Sequence, residues 1–531
     1  MKRKVLLSLV GLVPLLQLAL FFLPLPPRAR LILGSALFWE GVLAALWFFL
    51  RPNGFFHARS VSEIDFPRKA LEFLLMAALA AVVVMPMGWA WYWNGDLPNH
   101  HNQYEACGRA FLDGRLHLHY DALPLAGLDN PYDPAQRKAA GVKFRWDTTY
   151  FQGRYYMYFG VVPVVAVFVP YQAVTGKCLK TWRATRLFTI LFVFSVFSLS
   201  RCWARRFVPG LSWGLHLVLA SAVVCIGAWY LADAPSLYCT PIAAGMLFSV
   251  LFLRLLSAAA FSPHSRGVTD LLVFAGALCG ALVFGCRPTM AMVSLLFVPI
   301  ALAFWRNRGR SFAFSALPFA AIPYIAVAIA LMAYNAARFG NPLEFGQSYQ
   351  ITNTDQTLYL TAGKPFSWAV LWEFFDNAYF KLPTFSGKIP WISFGGLFVV
   401  FPLLLCPLEI LRPSVRGFLK ENRLLFFFFV LFAVPPVITF LTERMSPYSL
   451  ERYKVDFAFL LGLLALLAAF ARYATASDAA KPRLRAAFSA LALLAIAVSF
   501  LLFLVPHDRN IAADDPEFLP RVQTFLFPFR G

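Results

Sequence analysis

Residues 71–93 read LEFLLMAALAAVVVMPMGWAWYW, an apolar run that ends in the aromatic cluster Trp89, Trp91, Tyr92 and Trp93. A helix of about 17 to 25 apolar residues crosses the ~30 Å hydrocarbon core of a bilayer. Trp and Tyr concentrate where that core meets the lipid headgroups. The run therefore predicts a membrane-spanning helix whose end lies at a water interface.

Similar apolar runs fill most of the chain, and charged residues are confined to the short stretches between them. Of the 531 residues, 60% are hydrophobic and 14% are charged, and the mean hydropathy is +0.64. A soluble protein carries about 25% charged residues. The runs lack the alternation of β-barrel strands, and helices satisfy their own backbone in lipid. The sequence predicts an all-α fold, a polytopic transmembrane helical bundle.

The basic residues indicate which ends of the helices face the cytoplasm. The net charge is +20, but the Lys and Arg residues sit in short connectors, which is the positive-inside pattern of membrane proteins rather than a nucleic-acid surface. With those connectors inside, the long segments 94–155, 336–390 and 442–454 and the tail from residue 507 fall outside. The eight cysteines form no C-x-x-C pair, so neither a disulfide framework nor a zinc knuckle is predicted.

The number of spans depends on residues 156–175, which contain Pro163 and Pro170. Proline removes backbone hydrogen bonds, so this stretch is predicted to be juxtamembrane or re-entrant. The count is then about thirteen spans, with the N-terminus inside. The alternative adds one span and puts residues 177–186 in the cytoplasm.

Three parts follow from this arrangement. Residues 1–70 form an N-terminal transmembrane hairpin and a cytoplasmic connector, in which the first apolar run is interpreted as a retained span because no cleavage site follows it. Residues 71–472 form a transmembrane core with the outer loops 94–155, 336–390 and 442–454. Residues 473–531 form the last transmembrane helix and an outer tail.

The first outer loop places carboxylates at the water–membrane boundary. Residues 103–112 have helical apolar spacing, which predicts an amphipathic helix on the membrane surface. Asp96 precedes this helix and Glu105 lies in its first turn, so both are candidate general bases. The alternative is that Asp96 caps a turn and Glu105 stabilises the helix N-terminus. Asp96, His100 and His101 only loosely match the ligand pattern of a divalent metal site, because adjacent histidines rarely converge on one ion.

The end of the same loop, residues 143–160, interleaves aromatic, basic and acidic residues. Such a surface stacks on sugar rings and binds phosphate, which makes Arg145, Arg154 and Tyr155 candidate substrate-binding residues. It is equally typical of an aromatic belt in the headgroups. Asp147 is a third candidate catalytic carboxylate, or else a member of a structural ion pair with its arginine neighbours.

Two later arginines lie at the outer ends of apolar runs. Arg287 interrupts a long run, and an arginine at membrane depth is a functional candidate, although a snorkelling helix end also explains it. Arg452, in the last outer loop, is suited to holding a phosphate or to pairing with Glu451 or Asp456.

The order of these pieces resembles the GT-C superfamily of lipid-linked glycosyltransferases, which includes the protein O-mannosyltransferases and the aminoarabinose transferases of lipid A. Six stretches carry the resemblance. They are residues 104–114, a Tyr-containing helix ending in Gly; residues 186–207, which run from Arg186-Leu-Phe through a span to Ala204-Arg-Arg-Phe; residues 276–289, a Gly-rich span ending in Arg-Pro; Arg452-Tyr453 before a span; residues 150–160; and residues 334–346, which begin Tyr334-Asn335. Where the family pattern has Asp-Glu before the tyrosine, this chain has His100-His101, and Asp96 is the nearest preceding acid.

The resemblance implies an enzyme that moves a sugar from a polyprenyl-phosphate donor to an acceptor at the outer face of the membrane. No cofactor is implied, and the partners would be the lipid-linked donor and membrane lipid, in a bacterial cytoplasmic membrane. The substrate-binding residues would be Arg145, Arg154, Tyr155, Arg287, Asn335, Arg452 and Tyr453. A transporter or flippase for a lipid or glycan is the alternative, and it predicts inverted repeats and a site at the midplane.

Overall fold

The computed structural model describes residues 17–20, 23–51, 54–89, 102–158, 160–233, 235–358, 367–445, 451–505 and 515–529. In these ranges the first half contains α1 Pro27–Leu50, α2 Phe66–Val84, α3 Gln103–Leu112, α4 Leu123–Ala126, α5 Pro134–Ala139, β1 Thr149–Phe151, β2 Arg154–Tyr156, α6 Val169–Thr175, α7 Thr181–Phe207, α8 Trp213–Asp233, α9 Cys239–Phe261 and α10 Arg266–Cys286. The second half contains α11 Phe297–Arg308, α12 Arg310–Phe339, α13 Trp368–Tyr379, α14 Leu397–Val400, α15 Pro413–Glu421, α16 Leu425–Met445, α17 Glu451–Ala474, α18 Lys481–Leu502 and α19 Phe518–Leu526.

Four further helical segments, of 3₁₀ or π type, occur in the described ranges. They are Pro86–Gly88, Val164–Phe168, Pro288–Leu296 and Pro402–Leu411. Pro288–Leu296 runs directly into α11, and Val164–Phe168 runs directly into α6.

Ten helices of the described ranges are long and apolar enough to cross a membrane, counting Pro288–Arg308 as one. The chain is an integral multi-pass membrane protein, and the prediction of a helical membrane bundle is confirmed. α17 lies at the centre of the bundle, because all of its most apolar stretch is buried. In α1, by contrast, only 6% of the most apolar stretch is buried. Helices pack in lipid through close contact of small residues, and Gly227 of α8 lets α17 approach closely, because a Cβ there would lie 3.1 Å from the Cβ of Phe459.

The bundle has two chemically different ends. The arginine-rich end comprises the connectors between α7 and α8, α9 and α10, α11 and α12, and α15 and α16. The loop end comprises residues 102–158, 340–358 and 367–396. α7 runs from the loop end to the arginine-rich end. It begins beside α3, where the backbone N–H of Thr181 donates to Oε1 of Glu105 at 3.0 Å, and it ends at Phe207, at the arginine-rich end.

A buried polar cluster near the arginine-rich end ties α2 to α7 and α8. Glu72 of α2 has 1% of its surface exposed and forms an ion pair with Arg201 of α7. The indole N–H of Trp213 donates to its Oε2 at 2.8 Å, and Nε2 of His216 lies 3.6 Å from its Oε1. Because a buried carboxylate is stable only when it is paired, this cluster fixes the position of α2.

At the loop end, the two long outer loops are joined by backbone hydrogen bonds. β1 and β2 form a hairpin whose turn residues, Gln152 and Gly153, both have positive φ, as type I′ turns require. The second loop lies along β1, since the N–H of Tyr150 donates to Tyr349 O at 3.0 Å and that of Ile351 donates to Thr148 O at 2.9 Å. The hairpin therefore carries residues of the first loop to those of the second.

α3 forms where the sequence predicts a helix, and it packs against the short helices that follow. Tyr104 stacks on Phe168 with ring centroids 5.5 Å apart, and the Nε2 of Gln172 donates to Glu105 O at 3.1 Å. Gly108 permits this approach, because a Cβ there would lie 3.0 Å from the Gln172 side-chain oxygen. One face of α3 is thus covered by protein.

Candidate functional site

A cavity of about 580 Å³ lies at the loop end. Its wall is built from the end of the first outer loop, the second outer loop, the residues just before α9, the ends of α10 and α12, and the start of α17. The residues whose chemistry decides what the cavity can bind are Asp147, Tyr238, Arg287, Arg338, Gln350 and Arg452.

Asp147 is buried in this wall and held by several partners. Its backbone has φ +52°, a left-handed conformation that is uncommon outside Gly, Asn and Asp and that clusters at functional sites. Its Oδ1 accepts from Nε2 of Gln350 at 2.9 Å, and its Oδ2 accepts from the phenol O–H of Tyr238. The N–H of Asp147 donates to Ile351 O at 3.0 Å. The carboxylate is therefore fixed in position by groups from two other segments.

The two tyrosines near Asp147 keep their protons. Burial, followed by the charge of Asp147, raises the pKa of Tyr238 well above its usual value. Burial raises the pKa of Tyr158 to about 12. Both phenols are therefore neutral at physiological pH, and Tyr238 acts as a hydrogen-bond donor to the carboxylate.

Arg287 is paired with a buried carboxylate of the central helix. Its Nε lies 2.6 Å from Oδ1 of Asp456, which has no exposed surface. Thr289 Oγ1 donates to the other oxygen of Asp456 at 2.9 Å. Arg287 also lies 5.6 Å from the ring centroid of Tyr453. The pair joins the end of α10 to the start of α17.

Arg452 contacts aromatic faces instead of the acids beside it in the sequence. Its Cζ lies 4.2 Å from the ring centroid of Tyr238 and 5.3 Å from that of Tyr453. Asp456 pairs with Arg287, and Glu451 pairs with Lys454 at 2.8 Å. Among the described residues no carboxylate forms an ion pair with Arg452, and this arginine lines the cavity.

Arg338, at the end of α12, is a cavity residue that sequence reasoning missed. Its Nη1 donates to Met157 O at 3.0 Å and its Nη2 donates to Oδ1 of Asn335 at 2.8 Å. Its Cζ lies 3.9 Å from the ring centroid of Tyr334, and no described carboxylate pairs with it. Its position could have indicated it, because Arg338, like Arg287, lies at the outer end of an apolar run.

Tyr238 and Gln350 were also missed, and no local pattern would have found them. Tyr238 precedes a span in a stretch without a recognisable motif, and Gln350 is one of many polar residues of the second loop. They matter only because the folded chain places them on Asp147.

The sequence-derived site residues divide into two groups. Asp147, Arg287, Asn335, Arg452 and Tyr453 line the cavity together. The remaining candidates lie elsewhere or outside the described residues: Arg145, Arg154, Tyr155, Glu105, Asp96, His100 and His101.

The second group has other environments. The Cζ of Arg145 lies 4.6 Å from the ring centroid of Tyr120, Tyr155 is buried in the hairpin and Arg154 is exposed. Glu105 of α3 accepts a hydrogen bond from the N–H of Thr181, the first residue of α7. This contact agrees with a structural role at a helix N-terminus, but at that of α7 and not of α3. Asp96, His100 and His101 lie outside the described residues.

One side of the cavity is apolar and includes a side chain that is exposed at the surface of the bundle. It is lined by Val161, Phe284, Leu331 and Phe345, between α10 and α12. Phe284 has 39% of its surface exposed and forms an edge-to-face pair with Phe345, 5.6 Å between centroids. The cavity thus combines charged residues with an apolar side, which suits an anion carried on a hydrocarbon chain.

Across the described ranges, no three His, Cys, Asp or Glu side chains are grouped as metal ligands. The arginines of the cavity instead suit an oxyanion, because guanidinium groups bind phosphate through paired N–H donors. Comparison with models of protein families, with curated proteins and with solved structures found no match.

Proposed function

We propose that the chain is a GT-C-type glycosyltransferase, which moves a sugar from a polyprenyl-phosphate donor to an acceptor at the outer face of the membrane. One observation carries this proposal: a single cavity holds the carboxylate of Asp147 together with Arg287, Arg338 and Arg452. Within the described chain, Arg287 alone of these arginines has a carboxylate partner. The cavity therefore has excess positive charge opposite a fixed proton acceptor.

The donor would enter by the apolar side of this cavity. Its lipid chain would lie between α10 and α12 against Phe284 and Leu331, and its phosphate would reach Arg338 and Arg452. Arginine suits this task because it stays charged at low dielectric and binds two phosphate oxygens at once. Arg287, which is paired with Asp456, would orient the phosphate and add to the positive charge around it.

The acceptor would react on the side of Asp147. Its hydroxyl or amine forms a bond to the anomeric carbon of the sugar, the bond from that carbon to the phosphate oxygen breaks, and the acceptor proton passes to Asp147. The polyprenyl phosphate leaves with the bonding electron pair, and the arginines stabilise its charge. The proposal thus assigns the base to Asp147, whereas the sequence favoured Asp96 and Glu105.

The membrane arrangement proposed here has about thirteen spans with the N-terminus inside. Ten candidate spans are described, and α2, the segment from Leu397 to Leu411 and the first apolar run would supply the others. The helical stretch Val164–Thr175 is short, and α3 and α7, on either side of it, meet at Glu105 and Thr181. This contact supports an element that returns to the side from which it entered. A bacterial cytoplasmic membrane fits the charge distribution.

Reconstituted protein tests the proposal. Proteoliposomes containing the full chain are given a panel of radiolabelled polyprenyl-phosphate sugars and a membrane extract as acceptor. We expect sugar transfer by the wild type and its loss in Asp147→Asn, with Asp113→Asn, an exposed carboxylate of the same loop, as control. Movement of the lipid-linked sugar across the bilayer without any transfer would instead establish the transporter.

A further inference from the structure

A second cavity of about 580 Å³ lies at the arginine-rich end, at the opposite end of α7 from Glu105. It forms where α7, α9 and α11 end and where α15 turns into α16. The residues that give it its character are Arg206, Arg306, Asn307, Arg308, Asn422 and Arg423. Nothing in the proposed transfer reaction uses it.

The charge of this cavity is strongly one-sided. Four arginines line it against a single carboxylate, Glu421. None of the ion pairs between described residues includes any of these four arginines. Their charges are therefore solvated by water and balanced by mobile ions, or they are balanced by an anion that enters the cavity.

Two of the arginines are held in place by the protein. Arg308 donates to the carbonyl of Ser262, and beside it the Nδ2 of Asn307 donates to Ala260 O at 3.0 Å. The Nη1 of Arg423 donates to Oδ1 of Asn307 at 3.3 Å. These contacts satisfy the carbonyls at the end of α9, as cations near a helix C-terminus commonly do.

The other two arginines, Arg206 and Arg306, lie in the last turns of α7 and α11 but form no capping hydrogen bond. Arg206 and Arg306 are exposed, and among the described residues their side chains form no hydrogen bond with the protein. The Cζ of Arg206 lies 5.9 Å from the ring centroid of Phe207. They come from two different helix ends and face one hollow space. Such convergence is what a phosphate site needs, because several guanidinium groups can then share one anion.

The surroundings of the cavity belong to a membrane boundary. Phe207, Phe261 and Pro263 supply an apolar part of its lining, and Trp305 of α11, one residue before Arg306, has 45% of its surface exposed. Exposed tryptophans mark the headgroup level. Basic pockets between helices on the cytoplasmic side suit anionic headgroups, since that leaflet is negatively charged.

We propose that this basic cavity binds a phosphate-bearing anion, the headgroup of an anionic phospholipid in the leaflet at the arginine-rich end. Arg308 and Arg423 form the fixed part of the site, and Arg206 and Arg306 close on the phosphate. The apolar lining receives the glycerol and the first carbons of the acyl chains. The same phosphate chemistry would admit a soluble phosphate, and the experiment separates these two sources.

The test compares lipid binding by two variants with equal loss of charge. Arg206→Gln/Arg306→Gln removes the two exposed arginines of the cavity. Arg416→Gln/Arg483→Gln removes two exposed arginines of the same end that do not line it. Purified full-length protein in detergent is titrated with phosphatidylglycerol or phosphatidylcholine, and bound lipid is counted by native mass spectrometry.

We expect selective binding of phosphatidylglycerol by the wild type, weakened roughly thirtyfold in the cavity variant and unchanged in the control. Equal weakening in both variants would overturn the proposal, because only surface charge would then matter. A second titration uses inorganic phosphate. If phosphate binds with the same dependence on Arg206 and Arg306 while the lipids are not discriminated, the lipid assignment is overturned.

Sugar transfer at the loop end provides an independent readout. Because the basic cavity takes no part in the transfer step, the double variant of Arg206 and Arg306 should transfer sugar normally. Selective lipid binding in a protein that transfers no sugar would support this site and overturn only the proposed enzyme function.

Discussion

The Nε of Arg287 lies 2.6 Å from Oδ1 of Asp456, a carboxylate without exposed surface on the central helix. Asp456 lies one helical turn after Arg452 in α17, but it is paired with Arg287. Arg452 is therefore left to the faces of Tyr238 and Tyr453. One ion pair thus fixes two helices and also leaves a second guanidinium group available to a ligand.

Breaking that pair should destabilise the whole bundle. Asp456→Asn leaves Arg287 charged and partly buried without a carboxylate, and removal of one partner of a buried pair typically costs about 3 to 5 kcal/mol. We expect a clear drop in the midpoint of thermal unfolding in detergent. Asp478→Asn, which breaks an exposed pair with Lys481, should change it little. Equal midpoints for the two variants would show that the buried pair is not structural.

Removing the charge of Asp147 should reduce sugar transfer about 10² to 10⁴-fold, the usual effect of losing a general base. Asn tolerates the left-handed backbone at this position, so expression and unfolding should stay close to wild type. Transfer in membranes is measured for Asp147→Asn, Asp96→Asn and Glu105→Gln. Wild-type transfer by Asp147→Asn together with loss in Asp96→Asn would return the base to the start of the loop.

Arg452 should contribute directly to the binding of polyprenyl phosphate. A hydrogen bond to a charged group contributes about 1.5 to 3 kcal/mol, so Arg452→Gln should weaken binding by roughly 10 to 100-fold. Arg452→Lys keeps the charge and loses the forked donor, so its affinity should lie between those of the wild type and Arg452→Gln. Arg310→Gln, at the arginine-rich end, is the control. Binding is measured by titration of purified protein, and an equal loss in the control would indicate a general effect of charge.

Lys177 is expected to lie on the same side of the membrane as the first outer loop. The contact between Glu105 and Thr181 requires α3 and the start of α7 to share one side. In a background without native cysteines, Lys177→Cys should react with an impermeant maleimide added outside intact cells. Arg310→Cys should react only in inverted vesicles. Labelling of Lys177→Cys only in inverted vesicles would support the arrangement with one more span.

Stability should depend on the protonation of His57, which is buried in the connector before α2 and whose Nδ1 lies 3.0 Å from Ser212 Oγ. Burial, followed by the charge of Arg485, lowers the pKa of this imidazole from 6.5 to about 4. A lowered pKa in the folded state means that its contribution to stability is present above pH 6.5 and is lost as the pH falls toward 4.

Thermal unfolding between pH 7.5 and 4 measures this dependence. The fall in stability should be smaller in His57→Gln than in wild type. His264→Gln, at an exposed position, should keep the full dependence. A wild-type slope in His57→Gln would assign the acid sensitivity to other groups.

The architecture could be derived from the sequence because it depends on local features. The length and apolar character of the runs predict membrane helices, and the helical spacing of residues 103–112 predicts α3, which spans Gln103–Leu112. The arginines at the outer ends of runs pointed to Arg287 and Arg452. These conclusions need only the preferences of neighbouring residues for lipid, water and helix.

The pairing of charges was decided by the tertiary structure. Asp456 has Arg452 one turn away, yet it pairs with Arg287, which is 169 residues distant. Glu105, a candidate base by position, holds the start of α7, while Asp147 acquires its partners from Tyr238 and Gln350. An ion pair or hydrogen bond acts over a few ångströms. Which groups come that close depends on how helices from distant parts of the chain pack, and no local pattern records it.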